Sequence, residues 1–242
     1  MRNRKVEILP EFTSALTKRE AIAVGVYLPV HIVILPTLIS AIASAGYINY
    51  SLGNFLLYAI GAVYMTVFAW HFLRRDFDPL CDRFLKVLIE VGSGYIMMLF
   101  FNYALALILS YMGDISSATN PNNQTVVELA YENMGLISAM AIYLAPIAEE
   151  VMFRGLLFGY VRKRNRIAAY IFSMLAFSLY HVWGYAVTDP YYWIYLLQYL
   201  PISWLLCRCY ERTNTIWSSI MLHALVNAIS INAMTALQEL AA

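Results

Sequence analysis

Seven apolar runs partition the chain, at roughly 21–46, 51–73, 85–112, 134–160, 166–185, 191–209 and 214–236. Each is near or above the ~20 residues that a helix needs to cross the hydrocarbon layer of a bilayer. The pattern predicts an all-α fold, a polytopic transmembrane helical bundle of about seven spans. Pro36, Pro146 and Pro201 lie within or beside these runs. A membrane helix tolerates proline where its neighbours satisfy the freed carbonyl. Internal repeats, low-complexity tracts and a soluble domain are not seen.

Composition agrees with the pattern. The 242 residues are 61% hydrophobic and 13% charged, whereas soluble domains run nearer a quarter charged. The net charge of +1 and the absence of any basic motif leave no reading as a nucleic-acid binder. The lipid bilayer is the expected environment.

Lys and Arg set the orientation. Arg2, Arg4, Lys5, Lys18 and Arg19 precede or open the first run. Arg74, Arg75, Arg83 and Lys86 fall in the second connection, Arg162, Lys163, Arg164 and Arg166 in the fourth, and Arg208 and Arg212 in the sixth. These are all but one of the 16 basic residues, and they occupy alternate connections. The exception, Arg154, lies inside the fourth run. The N-terminus is therefore predicted cytoplasmic and the C-terminus outside. The polar N-terminal stretch is expected to stay attached, because it lacks the pattern of a cleavable signal.

The outer connection at 113–133 is turn-rich in its first half, and its second half, "QTVVELAYE", predicts a short surface helix. Asn123-Gln124-Thr125 fits a glycosylation sequon, which matters only in a eukaryotic secretory pathway. Cys81, Cys207 and Cys209 give no disulfide framework and read as ordinary thiols.

Ionisable residues inside a membrane span are costly and suggest function. The fourth run holds Glu149, Glu150 and Arg154. Glu150 and Arg154 are four apart with the acid first, the favourable order for a pair on one helix face. Glu149 points ~100° away and has no partner in its own helix. The fifth run offers His181 and the last offers His223 and Asn227. Counted from the cytoplasmic ends at ~1.5 Å per residue, these groups lie at similar depths, ~13–22 Å in. His71 reads as interfacial, Glu90 as able to snorkel, and His31 as having no obvious partner.

An acid, two imidazoles and an amide near mid-membrane describe a particular chemistry. A carboxylate in a dry site suits the part of a general base near neutral pH. Neutral imidazoles orient water, polarise a carbonyl or ligate a metal. An asparagine amide donates to a developing oxyanion. Together they suit water attacking an acyl carbon. A Ser–His or Cys–His nucleophile pair is missing, and so is a His-Glu-x-x-His helix.

At these residues the chain resembles the CPBP family of intramembrane proteases, which includes the CAAX prenyl endopeptidases and bacteriocin-processing or Abi-type proteins. The family's three motifs read here "EEVMFR" (149–154), "FSLYH" (177–181) and "HALVN" (223–227), in order, over roughly 134–230. The resemblance implies that Glu149 activates water, that His181 and His223 hold it or the substrate carbonyl, and that Asn227 helps form the oxyanion site. Glu150, Arg154 and Phe177 would be supporting. Members are described as metalloproteases, and a metal-free glutamate mechanism is described too. Glu149, His181 and His223 could ligate zinc or orient water alone. The implied division is a cytoplasmic N-terminal segment (1–20), accessory spans with an outer loop (21–133) and a catalytic transmembrane core (134–242).

The leading reading is thus a multi-pass intramembrane endopeptidase, in the plasma membrane of a prokaryote, acting on membrane-associated peptides or proteins. The alternatives are a non-catalytic immunity or scaffold protein of the same fold, and a transporter. The last is disfavoured by the missing inverted repeat. Glu149, His181, His223 and Asn227 are expected to line one water-accessible cavity, opening toward the cytoplasmic half of the membrane.

Overall fold

The computed structural model describes residues 12–111 and 120–241. The first part of the outer connection and the basic residues Arg2, Arg4 and Lys5 lie outside these. Nine helices make up the described chain: α1 (Lys18–Ser44), α2 (Tyr50–Phe68), α3 (Trp70–Asp82), α4 (Phe84–Tyr111), α5 (Pro121–Glu132), α6 (Met134–Arg162), α7 (Arg166–Thr188), α8 (Leu196–Thr213) and α9 (Ile216–Ala241). No strand occurs among the described residues.

Six of the nine, α1, α2, α4, α6, α7 and α9, are long and apolar enough to cross a membrane. The chain is an integral membrane protein with an all-α polytopic bundle. The run at 191–209 gives α8 and a short 3₁₀ turn before it (Pro190–Tyr195). Gln198 and the C-terminal Arg208, Glu211 and Arg212 keep α8 less apolar than the other six. The short helix expected within the outer connection is α5, N-capped by Asn120 and opened by Pro121.

Helix starts follow their capping residues. Thr17 and Glu20 form a capping box that opens α1, satisfying amides that have no partner within the helix. Asn49, Asn133 and Asn165 cap α2, α6 and α7. Asn214 ends α8 at φ 58°, a left-handed residue that asparagine tolerates. Its side-chain oxygen accepts from the Thr13 and Ser14 amides, at 2.9 and 3.0 Å. That ties the N-terminal segment to the α8–α9 turn.

Helix α6 is the centre of the bundle. The bundle buries 61% of its most apolar stretch, against 17–39% for the other five spans. Glu149, Glu150 and Arg154 therefore ride on the most buried of these helices.

All the described basic residues other than Arg154 gather at one end of the bundle. There, Glu211 binds Arg162 at 2.5 Å and Arg166 at 2.8 Å. Glu90 binds Arg208 at 3.2 Å and Arg212 at 2.7 Å. Glu90 is buried, so it does not snorkel as its sequence position suggested: two arginines of α8 come to it instead. Buried Asp76 is held by the Ser14 hydroxyl and the Ile216 amide. Burial pushes its carboxyl above the ordinary range, and these partners with Arg75 pull it back.

Candidate active site

Local irregularity in α6 prepares the site. Residues Met140–Leu144 wind as a π turn, in which the Ala145 amide bonds the Met140 carbonyl five residues back. The next donor in that register is Pro146, which has no N–H. The Ala141 carbonyl accepts instead from Asn227 Nδ2, at 2.8 Å. Asn227 is thus placed by a proline on a different helix. A second wide stretch, Val151–Phe158, follows Glu150. Such turns are frequent at functional sites.

Glu150 is fully buried and satisfied on both oxygens. Oε1 accepts from Arg154 at 3.0 Å and from His223 Nδ1 at 2.8 Å, and Oε2 accepts from Ser219. Arg154 donates onward to the Ser203 hydroxyl at 2.9 Å and carbonyl at 3.3 Å. Its guanidinium lies 4.1 Å from the Phe177 ring centroid, within range for a cation–π contact. The expected ion pair is present, and it does more than neutralise itself. It ties α6 to α8 and, through His223, to α9.

Phe177 explains its place in the second motif. Its carbonyl lies 2.9 Å from His181 Nδ1. A carbonyl only accepts, so Nδ1 carries the proton and Nε2 keeps a lone pair. The ring also sits beside both imidazoles, with centroids 4.4 Å from His181 and 5.7 Å from His223. The carboxylate of Glu150 likewise makes Nδ1 of His223 the donor. Both Nε2 atoms are left as acceptors.

Those two atoms face Glu149. His181 Nε2 is 3.6 Å and His223 Nε2 is 3.8 Å from Glu149 Oε2. This oxygen is buried and accepts no hydrogen bond. Adjacent glutamates therefore have opposite surroundings, one saturated with donors and one facing other acceptors.

An aromatic layer completes the walls. Tyr199 stacks on His181, with centroids 4.6 Å apart, and its hydroxyl accepts from Asn120 and Asn122 at 3.2 and 3.1 Å. Tyr58 on α2 lines the same cavity as Glu149 and pairs with the Tyr180 hydroxyl at 3.0 Å. Tyr180 lies 3.4 Å from His31 Nε2. His31 is therefore fully buried with aromatic company, where sequence offered it no partner. Sequence reasoning missed these tyrosines, since an aromatic in an apolar helix reads as core. The Tyr27–His31 spacing of four was the available signal.

Glu149, His181, His223 and Asn227 line one cavity of about 500 Å³, together with Tyr58 and Tyr199. Its opening differs from expectation. On α7 the lining runs from Phe177 to Tyr185, on α9 from His223 to Ile231, and on α4 from Met98 to Ala106. Each series leads away from the basic end. Asn120, Asn122 and Asn123 of the outer connection lie at the rim. The lining thus extends toward the end opposite the arginines.

One carboxylate and two imidazoles are a donor set that zinc accepts. Ligands ~2.0 Å from a tetrahedral zinc stand ~3.3 Å apart, and these gaps are wider. Among the described residues no three His, Cys, Asp or Glu side chains stand where they could hold a metal ion. The metalloprotease expectation finds no support in the geometry.

Comparison with known proteins now bears on the same residues. Residues 132–229 match the family "Type II CAAX prenyl endopeptidase Rce1-like". The chain is also similar to UPF0177 protein YxdF of Lactococcus lactis subsp. lactis (strain IL1403), at 32% identity over 84 residues. That alignment covers 35% of this chain and 42% of the relative, so the chain spans less than half of the curated relative it matches. No solved structure matches. The family match encloses all three motifs and bears out the CPBP resemblance, placing this segment with an intramembrane protease family.

Proposed function

We propose that the chain is an intramembrane endopeptidase that hydrolyses peptide bonds of membrane-associated substrates with a glutamate-activated water. The observation that carries this is the convergence of three acceptor atoms, Glu149 Oε2 and the two Nε2 atoms, on one locus of a polar cavity. A water there can give one O–H to Glu149 and the other to an imidazole. Glu149 takes a proton as the water oxygen attacks the scissile carbonyl carbon. The carbonyl oxygen becomes an oxyanion, and the second N–H of the Asn227 amide is available to it. Collapse of the intermediate breaks the C–N bond, and Glu149 returns the proton to the leaving amine.

Glu150 fixes the tautomer of His223, as the Phe177 carbonyl fixes that of His181. Arg154 holds Glu150 in place. The bacterial relative supports location in the plasma membrane of a prokaryote.

The test is hydrolysis by the purified protein, read by comparative peptidomics of membranes exposed to wild type or Glu149→Gln. Wild type should generate new termini that the variant does not. His181→Ala and His223→Ala should each lower turnover at least about a hundredfold, and Asn227→Ala should do so while also loosening α6 at Ala141. A non-catalytic immunity or scaffold role would leave the Glu149→Gln protein fully functional, with no difference in termini.

A further inference from the structure

The cavity's direction and the chain's charge asymmetry, taken together, say where the substrate comes from. The basic end contains every described Lys and Arg except Arg154. Connections rich in Lys and Arg stay cytoplasmic. The cavity opens at the other end. Its floor holds Glu149, the one charged side chain among its lining residues, and its walls and rim hold six asparagines and Gln198. No Lys or Arg lines it among the described residues.

This lining has a chemical meaning. A terminal carboxylate entering a site with restricted water needs a cation or a cluster of donors committed to it. Arg154, the one cation inside the bundle, is fully buried and engaged by Glu150 and Ser203. It cannot serve. Carboxamides both donate and accept, which matches the alternating N–H and C=O of an extended peptide. Asn123 on α5, Asn102 on α4 and Gln198 on α8 bring carboxamides to the lining from three helices. Phenols of Tyr58, Tyr185, Tyr195 and Tyr199 add apolar walls with polar tips. The nearby charges at this end, Glu128, Glu132 and Asp189, are acidic and would repel a carboxylate.

Resting on the endopeptidase reading, we propose that the substrate is an internal peptide segment presented from the extracytoplasmic side. It is held through its main-chain amides, with uncharged residues around the scissile bond, and is not a cytoplasmic chain end held by its carboxylate.

Two measurements test this. The first is labelling of intact cells with a membrane-impermeant maleimide. Cys81 is exposed at the basic end, and Cys207 and Cys209 are buried, so the wild-type chain should label only after permeabilisation. Tyr47→Cys, at a position 82% exposed in the α1–α2 turn, and Asn123→Cys should label in intact cells. Labelling of Cys81 in intact cells, with both variants silent until permeabilisation, would overturn the assigned face.

The second measurement uses internally quenched decapeptides of uncharged residues, each made with a free carboxylate and with a carboxamide end. Purified wild type should cleave the two forms within about threefold of each other, at internal bonds, and Asn123→Lys should shift preference toward the free carboxylate. A tenfold or greater wild-type preference for the free carboxylate would sink the internal-segment assignment. If neither form is cut faster by wild type than by Glu149→Gln, the endopeptidase reading fails and the peptide-binding part fails with it. The labelling result then still decides the face.

Discussion

At the basic end of the bundle, buried acids meet their partners. Glu211 has two arginines and the Tyr170 hydroxyl, Glu90 has Arg208 and Arg212, and Asp76 has a hydroxyl and an amide. Midway along α6 the same rule holds for Glu150 and stops at its neighbour. Glu149 is just as buried, yet its Oε2 faces two lone pairs. The desolvation cost of a buried charge is met by partners wherever the role is to hold helices together. An ionisable side chain at this depth that faces acceptors is expected to serve function. The contrast separates structural charge from chemical charge within one molecule, and substitutions on either side of it should behave differently.

The largest effect should come from the structural side. Arg154→Ala leaves Glu150 buried with a charge and one cationic partner fewer, and removing one member of a buried pair costs about 3–5 kcal/mol. Folded yield and thermal stability in detergent should both drop sharply. Glu149→Gln keeps the shape and removes a charge that no donor serves at Oε2, so it should fold like wild type while losing at least about a hundredfold in turnover, or about 2.7 kcal/mol of barrier. If both variants fold equally well and both are inactive, Arg154 acts in the chemistry and the contrast breaks.

A smaller effect should come from Tyr58, which belongs to an accessory span but faces the unpartnered acid. Tyr58→Phe keeps the ring against His31, with centroids 5.5 Å apart, and removes the hydroxyl that pairs with Tyr180 in the wall of the cavity that holds Glu149. Loss of one polar group from the wall beside the candidate base should lower kcat about tenfold with KM unchanged. A purely structural Tyr58 would lower stability and leave kcat per folded molecule as it was.

What could be read from sequence followed from period and chemistry. The spans, the alternation of basic connections and the Glu150–Arg154 pair are local patterns, and local patterns survive folding. The three motifs placed Glu149, His181, His223 and Asn227 around one cavity before any coordinates. The rest depended on contacts between helices that a linear pattern does not show. Glu150 was assigned to Arg154 alone because His223 lies 73 residues away. Tyr199 and His31 were hidden because phenol and imidazole on an apolar face look like packing. Pro146 did announce a freed carbonyl, but only the fold shows that Asn227 receives it. The opening of the cavity was misjudged because depth was counted along single helices. Which way a cavity extends depends on how several helices pack around it.

The smallest effect should come from a partly hydrated structural pair, and it checks the other side of the contrast. Glu90 is buried at its carboxylate, but the side chains of Arg208 and Arg212 are 22% and 47% exposed. On losing their acid, both arginines can turn toward water, which Arg154 cannot. Glu90→Gln also keeps a carbonyl oxygen that can accept from one of them. Partly exposed ion pairs contribute about 0.2–1 kcal/mol, so the variant should lose about 1 kcal/mol of stability or less and keep full turnover. Added salt should narrow the gap between wild type and variant, since screening weakens what exposed arginines contribute. A loss as large as that of Arg154→Ala would mean that depth in the bundle does not set the cost. A loss of turnover without a loss of stability would place Glu90, at the far end from the cavity, in a role that the partnering of its charge does not explain.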